Sequence, residues 1–494
     1  MKYKSTRSKT PALSSSEAII RGIAADGGLY VPMEIPMIDR SLEDLSYMSY
    51  KDLAYYIMSK YLTDFDEEEL RACIAAAYNE KFDTPLIAPL VEKAGVHFLE
   101  LYHGPTLAFK DMALSILPQL LKTSMAMQNI DQQVVILTAT SGDTGKAALE
   151  GFADVEGTKI LVFFPQNGVS RIQKLQMLTQ EGVNTFVAAI EGNFDDAQNA
   201  VKSIFNDKQL VEELSKKGYI LSSANSINIG RLIPQIVYYF YGYLTLLREG
   251  KITQGQEINV VVPTGNFGNI LAAYYAKKMG LPIGKLLCAS NENNVLYDFI
   301  HTGTYDRQRD LRLTSSPSMD ILISSNLERL LYEISGQDDV LVNQLMQKLS
   351  TEGIYEITNS MKEKLMDFYG DYSSEAEVFE AIKQLYQDEN YIIDTHTAVA
   401  YSVYQKYRKK TGDATPTIIA STASPFKFGK DVSRAIGLDI ADLDDFDILE
   451  KLAAAAKVKL PNSVSELKTK PILHHSLAQK HEIKAVVEGF LGGK

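Results

Sequence analysis

From Leu42 to Asn79 apolar residues recur at three- and four-residue spacing, most clearly in YKDLAYYIMSKYL (Tyr50–Leu62), and predict amphipathic helices. The acidic cluster Asp64–Glu69 inside this stretch reads as a helix start, because acids favour the positive end of the helix dipole. Phe82–Val91, with Pro85 and Pro89, breaks the helical period and reads as a connection into a second region. There the pattern changes. Short β-branched or apolar runs at Val134–Thr138, Lys159–Phe164, Thr185–Ala189, Ile258–Val262, Lys285–Ala289 and Thr417–Ala420 predict strands. They alternate with helical stretches at Arg171–Gln180, Phe194–Asn206, Leu232–Leu247 and Ile270–Met279. Such alternation predicts an α/β protein whose parallel sheets are covered on both faces, with ligands gathering at the carboxyl ends of the strands. Residues 338–390 are helical and charge-rich and read as a solvated elaboration.

A chain of 494 residues implies two or three domains, and a hydrophobic content of 45% with 23% charged residues describes a globular protein. The formal net charge of −12 argues against a nucleic-acid partner, whose phosphates would be repelled. Cys73 and Cys288 alone make neither a disulfide framework nor a thiolate zinc site, and no metal site is expected; a reducing cytoplasm fits. Leu232–Leu247 is the longest uncharged run, but it contains Pro234 and Gln235 and is shorter than a membrane span, so it reads as a buried helix. The basic, serine-rich first sixteen residues run directly into SEAIIRGIAADGGLYVP and read as part of the folded N-terminus.

Three predicted strands end in small-residue turns: TSGDTGKAA, PTGNFGNILAA and STASPFKFG. The first is not a nucleotide P-loop, because Thr140 stands where a glycine is needed and Ala147 where Ser or Thr is needed. Gly265–Asn269 has the wrong spacing for a dinucleotide fingerprint. A small anion on backbone amides and an ordinary strand-to-helix turn both fit each loop; three such loops at strand ends point to one shared ligand site. In LYHGPTLAFKDMA (Leu101–Ala113), Lys110 stands among apolar residues at a helix entry. It is either a surface charge paired with Asp111, or a lysine in a drier pocket, with reduced proton affinity and able to form a Schiff base.

HGPTLAFKDMA, SGDTGKAA, NSINIGR (Asn225–Arg231), PTGNFGN, PSMDILISSNLERLL (Pro317–Leu331), DTHTAVA (Asp394–Ala400) and STASPFKF (Ser421–Phe428), in this order, resemble threonine synthase, a pyridoxal-phosphate enzyme of the tryptophan-synthase-β fold type. The opening STR…SEAIIRGIAADGGLYVP resembles that family's N-terminal domain. The resemblance implies two parallel-rich three-layer domains of PLP fold type II with a mainly helical N-terminal domain. It divides the chain into 1–95, a large cofactor-binding domain at 96–125 and 230–494, and a small mobile domain at 126–229. It also implies a carbon–oxygen lyase acting on phosphates, which converts O-phospho-L-homoserine and water to L-threonine and phosphate.

Carried onto this sequence, the resemblance makes Lys110 the lysine that binds pyridoxal 5'-phosphate and later shuttles protons. Thr264, Gly265, Asn266, Phe267, Gly268 and Asn269 would wrap the cofactor phosphate, and Thr422 would hydrogen-bond the pyridine nitrogen. Ser141 and Thr144 would hold the substrate carboxylate, with Asp143 near the cofactor's phenolic oxygen; relatives in the cysteine-synthase branch carry Asn there. Arg231, Ser318 and Asn326 are candidates for the substrate phosphate, each equally able to serve as an interdomain hydrogen bond. Lys146 would either add charge to its loop or be solvated. His396 reads as a packed or capping histidine, and His103 as a weak pocket-lining candidate. A monomer or weak homodimer without membrane attachment is implied. The rival readings are a phospholyase that releases 2-oxobutyrate and phosphate, a serine/threonine dehydratase, and a non-catalytic binding protein on the same fold.

Overall fold

The β-branched runs do become strands. The computed structural model describes residues 1–140, 142–167 and 169–492. Two short strands, β1 (Tyr3–Ser5) and β2 (Tyr30–Pro32), pair antiparallel and fix the N-terminus to the fold. Helices Tyr50–Tyr61 and Glu67–Ala77 follow. Asp66 caps the second in a reciprocal capping box with Glu69, so the acidic cluster is a helix start. Tyr50 meets both Tyr78 and Tyr241 edge-on at 5.2 Å, which seats the N-terminal helices on the long helix Ile229–Arg248.

The large sheet runs β13 (Phe368–Tyr372), β10 (Ile283–Ser290), β9 (Ile258–Pro263), β14 (Thr417–Ser421), β4 (Val96–Glu100), β3 (Leu90–Lys93). All its pairings are parallel except that of β3 with β4. The small sheet runs β15 (Ser476–Gln479), β7 (Thr185–Glu191), β6 (Thr158–Pro165), β5 (Gln133–Ala139), β8 (Tyr219–Ser222), and is wholly parallel. A separate antiparallel pair joins β11 (Thr304–Asp306) to β12 (Ile354–Glu356). Ile229–Arg248 is buried along almost its whole length, Pro234 included, as a core helix. No described helix is long and apolar enough to cross a membrane.

Three expectations on chain division need correction. The boundary at residue 95 would cut a hairpin, because Leu90–Lys93 pairs antiparallel with Val96–Glu100 in the large sheet. Residues 338–390 are not only helical: β12 and β13 lie there, and β13 is an edge strand of the large sheet. Its sequence, FYGDY, carries Gly and Asp, which weaken a strand signal. Finally, the chain from 230 onward does not stay in the large unit. β15 pairs with β7, and Ile483, Val487 and Leu491 of the last helix join the apolar core of the small sheet with Leu161, Phe163 and Ile204.

Candidate active site

The strand order β9–β14–β4 places three carboxyl-end loops side by side: PTGNFGN, STASPFKF and the Lys110 segment. Two backbone bonds lock the latter pair together: Phe109 N–H donates to Thr422 O at 2.8 Å, and Ser424 N–H to Leu107 O at 3.0 Å. The SGDTG loop arrives from the small sheet, at the end of β5.

Lys110 stands at the entry of the short helix Asp111–Leu114, buried, with its Nζ donating to Ser318 Oγ at 3.4 Å and lying 3.6 Å from Asp143 Oδ2. Burial lowers its proton affinity; Asp143 opposes this, and Lys427 and Arg231 add to it. Asp111 is not its partner. That carboxyl accepts from Thr106 N–H at 2.8 Å and Thr106 Oγ1 at 2.6 Å, and burial pushes it up to about 6.

Asp143, in the first turn after the SGDTG loop, is ringed by donors. Its Oδ1 accepts from Gln173 Nε2 at 2.7 Å and faces Lys427 Nζ at 3.2 Å; its Oδ2 accepts from Ser318 Oγ at 2.9 Å. Burial opposes its ionisation, but Lys427 and Lys110 outweigh that and, with the Gln173 hydrogen bond, hold the carboxyl far below the ordinary range. Gly142 makes this approach possible: its φ is +139°, and a Cβ there would lie 2.6 Å from the Gln173 amide. Ser318 is thus placed beside Asp143 and Lys110. Its backbone N–H donates to His396 Nε2 at 3.2 Å, while His396 Nδ1 faces Asp394 Oδ2 at 2.8 Å. His396 is a packed, positioning histidine.

In the PTGNFGN loop, Thr264 Oγ1 turns back to Val262 O at 2.7 Å. Gly265 passes so close to Ser318 O that a Cβ would lie 2.7 Å from it. Phe267 adopts a left-handed φ of +65° and begins the helix Gly268–Lys278, whose first turn has no side-chain cap. Asn269 Oδ1 accepts from Tyr238 Oη at 2.7 Å and from Tyr239 Oη, which leaves its buried Nδ2 without a partner among the described residues. An uncapped helix start beside an orphaned amide donor is an anion cradle. Asn326 braces this loop from behind. Its N–H and Nδ2 both donate to Asn266 O at 3.0 Å, and its Oδ1 accepts from Arg329, so its amide is engaged within the protein.

Thr422 is buried beside Thr397 Oγ1, which accepts its N–H at 3.3 Å. Arg231 is buried, donates from Nη1 to Ala224 O at 2.7 Å, and has an Nε without a partner among the described residues. Burial alone brings it down to about 10. Thr144 is half-buried next to Asp143, and Ser141 lies outside the described residues. Lys146 neither serves the loop nor meets solvent: it is buried, paired with Glu150 at 3.0 Å and bonded to Gln180. His103 does not line the pocket either, being held between Asp83 and Glu100. Lys427 and Gln173 escape the sequence reading. The one signal for Lys427 is a lysine set between two phenylalanines in an otherwise apolar SPFKF run.

These parts fit pyridoxal phosphate: a dry lysine of reduced proton affinity, an anion cradle at a helix start, and a buried threonine just past the end of the strand between them. Comparison with known proteins agrees. Residues 2–78 match the family described as Threonine synthase N terminus, 79–422 match Pyridoxal-phosphate dependent enzyme, and 397–487 match Threonine synthase, C-terminal. The chain is 41% identical to threonine synthase-like 1 of Homo sapiens over 96% of its own length, and spans 63% of that relative's length. It is 38% identical to threonine synthase of Saccharomyces cerevisiae, covering 88% of this chain and 89% of the other. A crystal structure of PLP-bound threonine synthase from Brucella melitensis superposes with a TM-score of 0.88 at 35% identity, covering 100% of this chain and 99% of that one. The chain belongs to the threonine synthase family of pyridoxal-phosphate-dependent enzymes.

Proposed function

We propose that this protein is a threonine synthase acting on O-phospho-L-homoserine and water to give L-threonine and phosphate. The observation that carries the reading is Lys110: a buried lysine of lowered proton affinity where the carboxyl ends of both parallel sheets meet. Pyridoxal phosphate, when bound, supplies an electron sink for carbanions formed on the substrate. The amides of Gly265–Asn269 would hold its phosphate, the Thr264 N–H being taken by Ala289 O at 2.8 Å, and Thr422 Oγ1 would meet its ring nitrogen. A neutral hydroxyl there leaves that nitrogen unprotonated and the sink mild.

The chain's own groups do the rest. Lys110 Nζ, whose proton affinity burial lowers, takes the proton from the substrate's α-carbon and relays protons between neighbouring carbons. Ser141, Thr144 and nearby amides would hold the substrate carboxylate at the end of β5, so binding draws the small unit inward. Arg231, a buried cation with no carboxylate partner among the described residues, suits the phosphate that leaves from the γ-carbon. Closure of the small unit excludes water until phosphate has gone, after which water adds at the β-carbon. The free, buried Cys73 and Cys288 suit a cytoplasmic enzyme, and family likeness suits a monomer or weak homodimer.

The test is to supply O-phospho-L-homoserine to purified protein, with and without pyridoxal phosphate, and measure phosphate and amino acid together. Threonine in step with phosphate supports the whole reading. 2-Oxobutyrate with phosphate would make the protein a phospholyase, and no product from cofactor-loaded protein would mean another substrate.

A further inference from the structure

Asp143 poses a problem that the family reading leaves open. A carboxylate beside a reactive lysine adds negative charge where a neutral amide would add none. It lies on the small unit, yet the groups that hold it lie mostly on the large one. Lys427 Nζ is almost wholly buried, with 1% of its side chain exposed, and faces Asp143 Oδ1 at 3.2 Å. It also donates to Thr106 O, in the lysine segment, at 2.7 Å. One ammonium thus ties three loops together: STASPFKF, HGPTLAFK and SGDTG. The two carboxylate oxygens are divided between tasks. Oδ1 takes Lys427 and Gln173, while Oδ2 takes Ser318 Oγ and faces Lys110.

We propose that Lys427 is a positioning residue, the fixed counter-cation of Asp143, which holds that carboxylate ionised and aimed at Lys110 when the small unit meets the large one. This rests on Lys110 being the cofactor-bearing lysine. A buried ion pair broken on one side leaves the other charge uncompensated, whereas removing both charges together costs far less. The titratable groups facing Asp143 are Lys427, Lys110 and His396; those facing Lys110 are Asp143, Lys427 and Arg231. Lys427 therefore acts on Lys110 chiefly through Asp143, by sharing the carboxylate that would otherwise attract that lysine alone.

The experiment uses cofactor-loaded full chain and the variants Lys427→Met, Lys427→Arg, Asp143→Asn and the double Asp143→Asn/Lys427→Met. The first readout is the pH midpoint of the absorbance of the cofactor carried on Lys110. Lys427→Met should raise that midpoint by about one unit or more, Asp143→Asn should lower it, and Lys427→Arg should leave it near its original place. The second readout is kcat/KM with O-phospho-L-homoserine. Lys427→Met should cost about a hundredfold, and the double variant should be no worse than Asp143→Asn alone, because Lys427 acts through that carboxylate. An unmoved midpoint in Lys427→Met, or a double variant whose loss is the product of the two single losses, overturns the proposal. Should Lys427→Met not fold, the charge-neutral double variant and Lys427→Arg carry the same two comparisons. If wild-type protein releases no phosphate from that substrate, the functional reading fails, while the absorbance titration still decides the role of Lys427.

Discussion

The imidazole of His396 accepts the backbone N–H of Ser318 through Nε2 at 3.2 Å, and Asp394 Oδ2 holds the opposite ring nitrogen at 2.8 Å. The carboxylate keeps the proton on Nδ1, so Nε2 is free to accept. Through Ser318 the histidine reaches the chemistry, since Ser318 Oγ touches both Asp143 and Lys110. His396→Ala should therefore lower kcat about tenfold while cofactor remains bound, because it loosens a second layer and leaves the lysine intact. His396→Gln, which can still accept that N–H, should recover part of the loss. A His396→Ala enzyme with unchanged kcat would show that Ser318 needs no such support.

Much of this site can be read along the chain, and what cannot has a physical reason. Lys110, the PTGNFGN loop and Thr422 sit in contiguous segments at strand ends, where a turn between a strand and a helix announces itself. The strands Ile258–Val262 and Thr417–Ala420 were legible because, buried on both faces, they are continuous apolar runs. The partners of Asp143 are another matter. Lys427 and Gln173 come from loops and helices remote in sequence, and their meaning is a matter of distance, which no period encodes. Asn326 reads by type as either a phosphate ligand or a hydrogen-bond brace, and its bonds to Asn266 and Arg329 are again a matter of distance that no sequence pattern encodes. β15 failed for lack of length, since four residues carry no alternation to count.

His103 offers a pH-dependent prediction away from the chemistry. Asp83 at 2.6 Å and Glu100 at 2.9 Å flank its ring; burial disfavours its charge, but the two carboxylates prevail and push it up to about 9. The unfolded value is about 6.5, so the stabilisation is fully present below that pH and is lost as pH rises through about 9. His103→Gln should lower the unfolding free energy by on the order of 1 kcal/mol at pH 6, and by almost nothing at pH 10. Urea denaturation of both proteins at the two pH values decides it. An equal gap at both would place the effect in packing.

The return of the C-terminus to the small sheet has a mechanical consequence. β15 covers the edge of β7, and Ile483, Val487 and Leu491 are buried on the small unit's core. A chain ending at residue 473 would expose these contacts, each such side chain being worth about 1.5–3 kcal/mol. Amide exchange should then quicken across β5, β6, β7 and β8, while β9, β10 and β14 stay protected. Turnover should fall steeply, because closure needs a folded small unit. Uniform loss of protection in both sheets would mean that the two units unfold as one.

Arg231 sets function against stability. Its guanidinium is buried, no carboxylate pairs with it among the described residues, and its Nε has no partner there. Burying a charge on those terms costs free energy, which a bound phosphate would recover. Arg231→Met, of similar reach and no charge, should raise the melting temperature of substrate-free protein, by about 1–3 kcal/mol in unfolding free energy. It should also raise KM for O-phospho-L-homoserine about a hundredfold or more. Inorganic phosphate should raise the melting temperature of the wild-type protein and leave that of the variant where it is. If phosphate stabilises both proteins equally, Arg231 does not hold the leaving group, and its buried charge serves the seam between the two sheets instead.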